Sequence, residues 1–142
     1  MKFDKLFITG GAGYVGSSIV PDLLNNGYKV TVYDTLYFGS EFLPKNKNLK
    51  IIKGDIRDIS ATDFIGVDAI IHLANIANDP SVDLNPMLSW EVNVLASQQL
   101  ATLAVRAGVS QFIYASSGSV YGIKEEEQVT EDLELLPIST YN

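Results

Sequence analysis

The chain has 142 residues, 46 % of them hydrophobic and 19 % charged, with a formal net charge of −7; that is enough for one domain with a true core and little for two. The acidic balance argues against a nucleic acid or an anionic membrane surface as partner, since either asks for a basic face. With no cysteine and a single histidine, His72, the sequence offers no disulfide framework, no thiolate nucleophile and no histidine cluster for a metal.

No apolar run approaches the ~20 residues that span a bilayer. Lys2, Asp4 and Lys5 interrupt the N-terminus as a secretory leader would not be interrupted, so a cytoplasmic protein is expected. Lys5 to Thr9 reads as a strand that runs straight into Gly10-Gly11-Ala12-Gly13-Tyr14-Val15-Gly16. Tyr14 to Asn25 then reads as a helix closed by Gly27. A strand, a glycine turn and a helix start present free backbone N–H groups and a positive dipole end, which together suit a pyrophosphate. Gly10 permits the tight turn, Gly13 lets the backbone approach the phosphates, and Gly16 lets the helix pack closely on its strand. Pro21 falls inside this helix and predicts a bend near Ser17 to Pro21.

Lys29 to Tyr33 is β-branched and aromatic, a second strand with Asp34 at its carboxyl end. A carboxylate there can accept from both ribose hydroxyls and repels a 2′-phosphate. Thr35-Leu36-Tyr37-Phe38 supplies no cation to offset that repulsion, so NAD is favoured over NADP. Leu49 to Lys53 and Ala69 to Leu73 are short apolar runs suited to parallel strands covered on both faces. Leu84 to Ala107 carries apolar residues at helical spacing and is stopped by Gly108; Asn78-Asp79-Pro80 before it reads as a polar loop. Gln111 to Ala115 is a fifth strand, leading into Ser116-Ser117-Gly118-Ser119-Val120-Tyr121-Gly122. The acidic run Glu125-Glu126-Glu127 and Glu131-Asp132-Glu134 reads as a solvated loop.

Alternating strands and helices predict an α/β fold, a doubly wound parallel sheet of order 3-2-1-4-5. Ligands bind such sheets beyond the carboxyl ends of the strands, where the order reverses. There Asp55 and Ile56 follow the third strand and can meet an adenine, His72-Leu73-Ala74-Asn75 leaves the fourth, and Ser116 and Ser117 leave the fifth. Each has a plainer reading: Asp55 as the cap of a short helix near Asp58 to Phe64, His72 as a hydrogen-bonded strand-end residue, Ser117 as a turn former.

Taken together, Thr9 to Gly16, Asp34, Gly54-Asp55-Ile56, His72-Leu73-Ala74, Asn93, Ser116-Ser117 with Val120-Tyr121-Gly122, and Pro137 before Tyr141 resemble the extended short-chain dehydrogenase/reductase family. Within it they resemble the NAD-dependent nucleotide-sugar epimerases and dehydratases. The resemblance implies a Rossmann domain in which Gly10, Gly13, Tyr14, Val15, Gly16, Asp34, Asp55, Ile56, Leu73, Ala74, Asn75, Asn93 and Ser116 hold NAD. It implies a nucleotide-sugar substrate, with Ser117 bonding the sugar oxygen to be oxidised and Tyr141 as catalytic base. In the family a lysine in a Tyr-x-x-x-Lys motif helps lower the pKa of that phenol, which is ordinarily near 10. The 4,6-dehydratases carry an Asp-Glu pair directly before Val-Tyr-Gly; Gly118 and Ser119 stand there, which points to a 4-epimerase, or a related short-chain oxidoreductase, over a dehydratase.

Residues 1–142 are thus expected to form one incomplete dinucleotide-binding domain, the N-terminal part of a longer enzyme. The lysine, the last strands and the substrate domain lie past Asn142, so the chain alone is expected to be inactive. A bare face on the fourth and fifth strands is expected to favour self-association. The helix from Leu84 to Ala107 resembles the one through which relatives form homodimers. The rival reading is a non-catalytic NAD-binding module, which would have no chemical use for Ser117 and Tyr141.

Overall fold

The computed structural model describes residues 3–141, so Lys2 and Asn142 lie outside the described residues. Five parallel strands form one sheet in the order β3-β2-β1-β4-β5: β1 (Lys5–Thr9), β2 (Lys29–Asp34), β3 (Leu49–Lys53), β4 (Ala69–His72) and β5 (Gln111–Tyr114). Side chains alternate across a strand, and the central β1 supplies both layers. Phe7 joins Tyr33, Phe64, Ile70, Val92 and Leu100 on one face, while Ile8 joins Val20, Leu24, Val30 and Val32 on the other. Leu100 is wholly buried. Leu100→Ala is expected to cost about 2–5 kcal/mol, read as a lowered urea midpoint with an unchanged slope.

Helix α1 (Tyr14–Asn25) runs unbroken across Pro21, whose ring nitrogen has no proton for the Ser17 carbonyl. The buried anchors Val20 and Leu24 flank the proline and hold both halves of the helix to the sheet.

The expected helix from Leu84 to Ala107 is corrected at its start and in its middle. Asp79 and Pro80 are not loop residues but begin a short helix, α2 (Asp79–Leu84), capped by Asn78, whose side chain accepts from the Ser81 N–H. Asn85 breaks it and caps the next, its Oδ1 accepting from the Leu88 N–H. The chain then runs as α3 (Pro86–Trp90), a π-helical turn (Glu91–Ala96) and α4 (Ser97–Arg106). Apolar spacing carries no mark of the two asparagine caps or of the wider turn, so the pattern reads as one helix.

β5 is only partly covered: Phe112 packs against the Phe7 layer, while Ile113 and Tyr114 are 45 % and 48 % exposed. In β4, Ile70 is buried in one layer and Ile71 is partly buried against the other, so the expected bare face falls mainly on the fifth strand. The acidic residues from Glu125 to Glu134 are exposed. Among the described residues no helix is long and apolar enough to cross a membrane.

Candidate functional site: the crevice at the carboxyl ends of the strands

The strand order reverses between β1 and β4, and the glycine turn stands there. Gly10 has φ +68°, and a Cβ on it would lie 2.6 Å from the Ala74 nitrogen, so both conformation and space require glycine. Gly13 is the N-cap of α1 and brings no side chain to the cap. There is no acidic residue in the first turn of α1, and among the described residues the Tyr14 and Val15 amides have no backbone acceptor outside the helix. An anion fits such an end. The close helix packing expected of Gly16 is one step removed from the strand. Gly16 abuts the Gly11 backbone, where a Cβ would come within 2.3 Å of the carbonyl oxygen, and Gly11 in turn sits on the Val32 side chain of β2.

Asp34 is held from two sides. Its Oδ2 accepts from the Ala12 N–H at 3.0 Å and its Oδ1 from the Leu36 N–H at 2.8 Å, leaving each oxygen a further lone pair for a hydroxyl. Leu36 takes a left-handed φ of +57° to make that bond. Next to it, Asp55 caps a 3₁₀ turn (Ile56–Asp58) through the Arg57 N–H, and a second turn (Ala61–Phe64) has its own capping box from Ser60 and Asp63. Arg57 grips Asp55 with two nitrogens, at 3.1 and 2.8 Å, and Glu91 with a third at 2.9 Å. These bonds hold the Asp55 carboxyl below its ordinary range and raise the guanidinium. Arg57 is the cation among the residues lining this crevice, and its charge is already shared by two carboxylates.

The opposite wall is the exit of β4. Leu73, Ala74 and Asn75 line a crevice of about 380 Å³ together with Gly10, Gly13, Tyr14, Val15, Asp34, Asp55 and Ile56. Asn93, in the π-helical turn, stands behind this wall and locks it: its Oδ1 accepts from the Ile76 N–H at 2.8 Å and its Nδ2 donates to the Ile76 carbonyl at 3.0 Å. Ser116 and Ser117 lie just past Ala115, which is the part of the β5 exit that reaches the crevice. Ser117 caps a 3₁₀ turn (Gly118–Tyr121), its Oγ accepting from the Ser119 N–H and lying 2.6 Å from the Ser119 hydroxyl. Tyr141 is half-buried. Gly16, Asn93, Ser116, Ser117 and Tyr141 do not line the crevice.

Sequence reasoning missed Tyr33, Arg57 and the apolar Ile76, Leu88 and Val92 as lining residues, and weighed Tyr37 and Phe38 only for their lack of charge. Arg57, two residues after Asp55, was the findable one, because a fork of donors beside a carboxylate is a ready bidentate pair. A larger cleft of about 480 Å³ opens at the amino ends of β1 to β3, with Lys5, Lys29, Lys47 and Lys50 among its lining. Lysines beside an edge strand serve to blunt it, and this cleft has none of the glycine turn's donors.

His72 is 1 % exposed and bonded through both ring nitrogens, to Thr9 Oγ1 at 2.5 Å and Ser97 Oγ at 2.8 Å. Burial lowers its pKa from 6.5 to about 4. The unfolded chain therefore binds the extra proton first, and stability contributed by neutral His72 is present above pH 6.5 and lost as the pH falls toward 4. The expected loss is about 3 kcal/mol across that window, seen as a falling urea midpoint that His72→Asn flattens.

A family model described as the NAD dependent epimerase/dehydratase family matches residues 6–142. The UDP-glucose 4-epimerase of Lactobacillus helveticus is 33 % identical over 141 residues, 96 % of this chain and 42 % of the relative. Among solved structures, a UDP-N-acetylglucosamine 4-epimerase from Methanobrevibacter ruminantium M1 in complex with UDP-N-acetylmuramic acid superposes with a TM-score of 0.91 at 34 % identity, covering 99 % of this chain and 46 % of that one. DesIV, a dTDP-glucose 4,6-dehydratase from Streptomyces venezuelae with NAD and TYD bound, gives 0.88 at 33 % identity, covering 96 % and 47 %. The chain thus spans less than half the length of the relatives it matches.

Proposed function

The chain belongs to the NAD dependent epimerase/dehydratase family, and we propose that it is the NAD-binding, N-terminal part of a nucleotide-sugar 4-epimerase. The observation that carries this reading is the pairing, across one crevice, of the bare amides of Tyr14 and Val15 with the anchored carboxylate of Asp34. The first suits a pyrophosphate and the second a ribose with both hydroxyls free. A 2′-phosphate would meet Asp34 with no unpaired cation among the lining residues, since Arg57 is engaged. Asp55 and Ile56 flank the adenine side, and the Leu73–Asn75 wall the nicotinamide side.

Bound NAD supplies a hydride acceptor that later returns the hydride. The residues of this chain would handle the proton. In the whole protein Ser117 Oγ donates to the sugar oxygen and Tyr141 Oη takes the hydroxyl proton. Neither Gly118 nor Ser119 carries a carboxylate able to eliminate water, which favours epimerisation over dehydration. Residues 1–142 are read as one dinucleotide-binding domain, and a second copy is placed against the α3–α4 ridge, where Met87, Trp90 and Leu95 are exposed.

Titration calorimetry on this chain tests the cofactor reading, with NAD expected to bind at least about 10-fold tighter than NADP; equal or reversed affinities would overturn it. In the whole protein, proton NMR with UDP-glucose is expected to show inversion at C4 without net reduction of NAD. Accumulation of a 4-keto-6-deoxy sugar would make it a dehydratase instead.

A further inference from the structure

The register of the sheet sets Thr9, His72 and Tyr114 side by side across β1, β4 and β5. His72 faces no charged partner there. Its neighbours are the Thr9 and Ser97 hydroxyls and the rings of Tyr114 and Phe112, at 5.4 and 6.0 Å. The hydrogen bonds on either side of the imidazole extend further. Thr9 Oγ1 accepts from the Ala74 N–H at 3.4 Å, and the Ser97 hydroxyl donates to the Val92 carbonyl at 3.4 Å.

The direction of this chain is set at its Ser97 end. A carbonyl can only accept, so the single Ser97 proton goes to Val92, and Ser97 Oγ must take its other bond from a His72 Nε2–H. A neutral imidazole with a proton on Nε2 has a bare Nδ1, which accepts from the Thr9 hydroxyl. Thr9 Oγ1 is then the acceptor that the Ala74 amide, which can only donate, requires. Four donors on β1, β4, the β4 exit and the α3–α4 rod thus point their protons one way, toward the Val92 carbonyl, and bonds aligned in such a row polarise one another.

Both ends of the row line the crevice, Ala74 at the exit of β4 and Val92 in the π-helical turn. Ala74 is also the residue that Gly10 abuts. We infer that His72 is a positioning residue, fixed as its Nε2–H tautomer, which ties the β4 exit at Ala74 to the π-helical turn at Val92 and so holds these two lining segments of the crevice together. It does not itself line the crevice and acts through Thr9 and Ser97. The inference rests on the reading of the crevice as a dinucleotide site for its use, and not for its existence.

His72 is the one histidine in the chain, so nitrogen-15 NMR of the imidazole gives a single assignable pair of resonances. At pH 7 the pair is expected to show a bare Nδ1 and a protonated Nε2. A protonated Nδ1, or two averaged signals, would overturn the assignment. Ser97→Ala, which removes the far end of the row, is expected to raise amide exchange at Ala74 about 5-fold, the share of one hydrogen bond, although Ser97 does not bond Ala74. Unchanged exchange at Ala74 in a folded Ser97→Ala chain would show that nothing is transmitted through the ring. NAD titration of the same samples reads the site separately. Failure of the unsubstituted chain to bind NAD would sink the proposed function, while the tautomer and exchange results would still decide the role of His72.

Discussion

Gly16→Ala is expected to destabilise the chain by about 3 kcal/mol or more, a large part of the 5–15 kcal/mol that holds a typical domain. The added Cβ would sit 2.3, 2.4 and 2.5 Å from three backbone atoms of Gly11. Gly11 cannot retreat, because it rests on the two methyls of Val32, and Val32 is wholly buried in the centre of β2. Two other glycines separate packing from backbone conformation. Gly27 has φ +88° and open space around it, so Gly27→Ala carries strain alone and should cost about 1 kcal/mol. Gly118 has neither crowding nor a positive φ, and Gly118→Ala should be neutral or slightly stabilising. Urea midpoints rank the three. If Gly16→Ala loses no more than Gly27→Ala, the close contact of α1 with the glycine turn is not what fixes the helix.

Asp34→Ala is expected to weaken NAD binding at least about 100-fold, since it removes two hydrogen bonds to a charged acceptor, each worth about 1.5–3 kcal/mol. Part of that loss comes from the turn itself, because the Ala12 and Leu36 amides lose their acceptor. The ratio of NAD to NADP affinity removes the ambiguity. A loosened turn weakens both cofactors alike, whereas losing the carboxylate that repels a 2′-phosphate weakens NAD and relieves NADP. An unchanged ratio would mean that Asp34 serves the turn and not the ribose.

The frame of this domain was legible because its signals are local. Each strand is a short β-branched or apolar run ended by a glycine or a polar residue, and the order 3-2-1-4-5 follows from right-handed crossovers. Asp34 and the glycine turn were legible because a tight turn and a strand-end carboxylate each demand a residue type. The breaks at Asn78 and Asn85 do not show in the apolar spacing; their mark is the proline that follows each asparagine within two residues, Pro80 and Pro86, in the first turn of a new helix. The π-helical turn that brings Asn93 to Ile76 leaves no sequence pattern. The Arg57 clamp was legible only in its local half: Asp55 lies two residues away, whereas Glu91 lies 34 residues away and only the fold brings it within reach.

The two layers of core close at different times as the chain is made. The buried residues of the face that holds Ile8 have all emerged by Leu43, with Leu49, Ile71 and Leu73 added later at its margin. The face that holds Phe7 draws its cover from Ile56 onward and is not closed until Leu100 and Ala104 arrive. At about 5–20 residues per second, Phe7 and Tyr33 wait several seconds on the nascent chain with one side of a growing sheet wet. During that interval a β1–α1–β2 unit stands with a largely formed back and an aromatic front open to water, the surface most exposed to wrong contacts before the chain is complete.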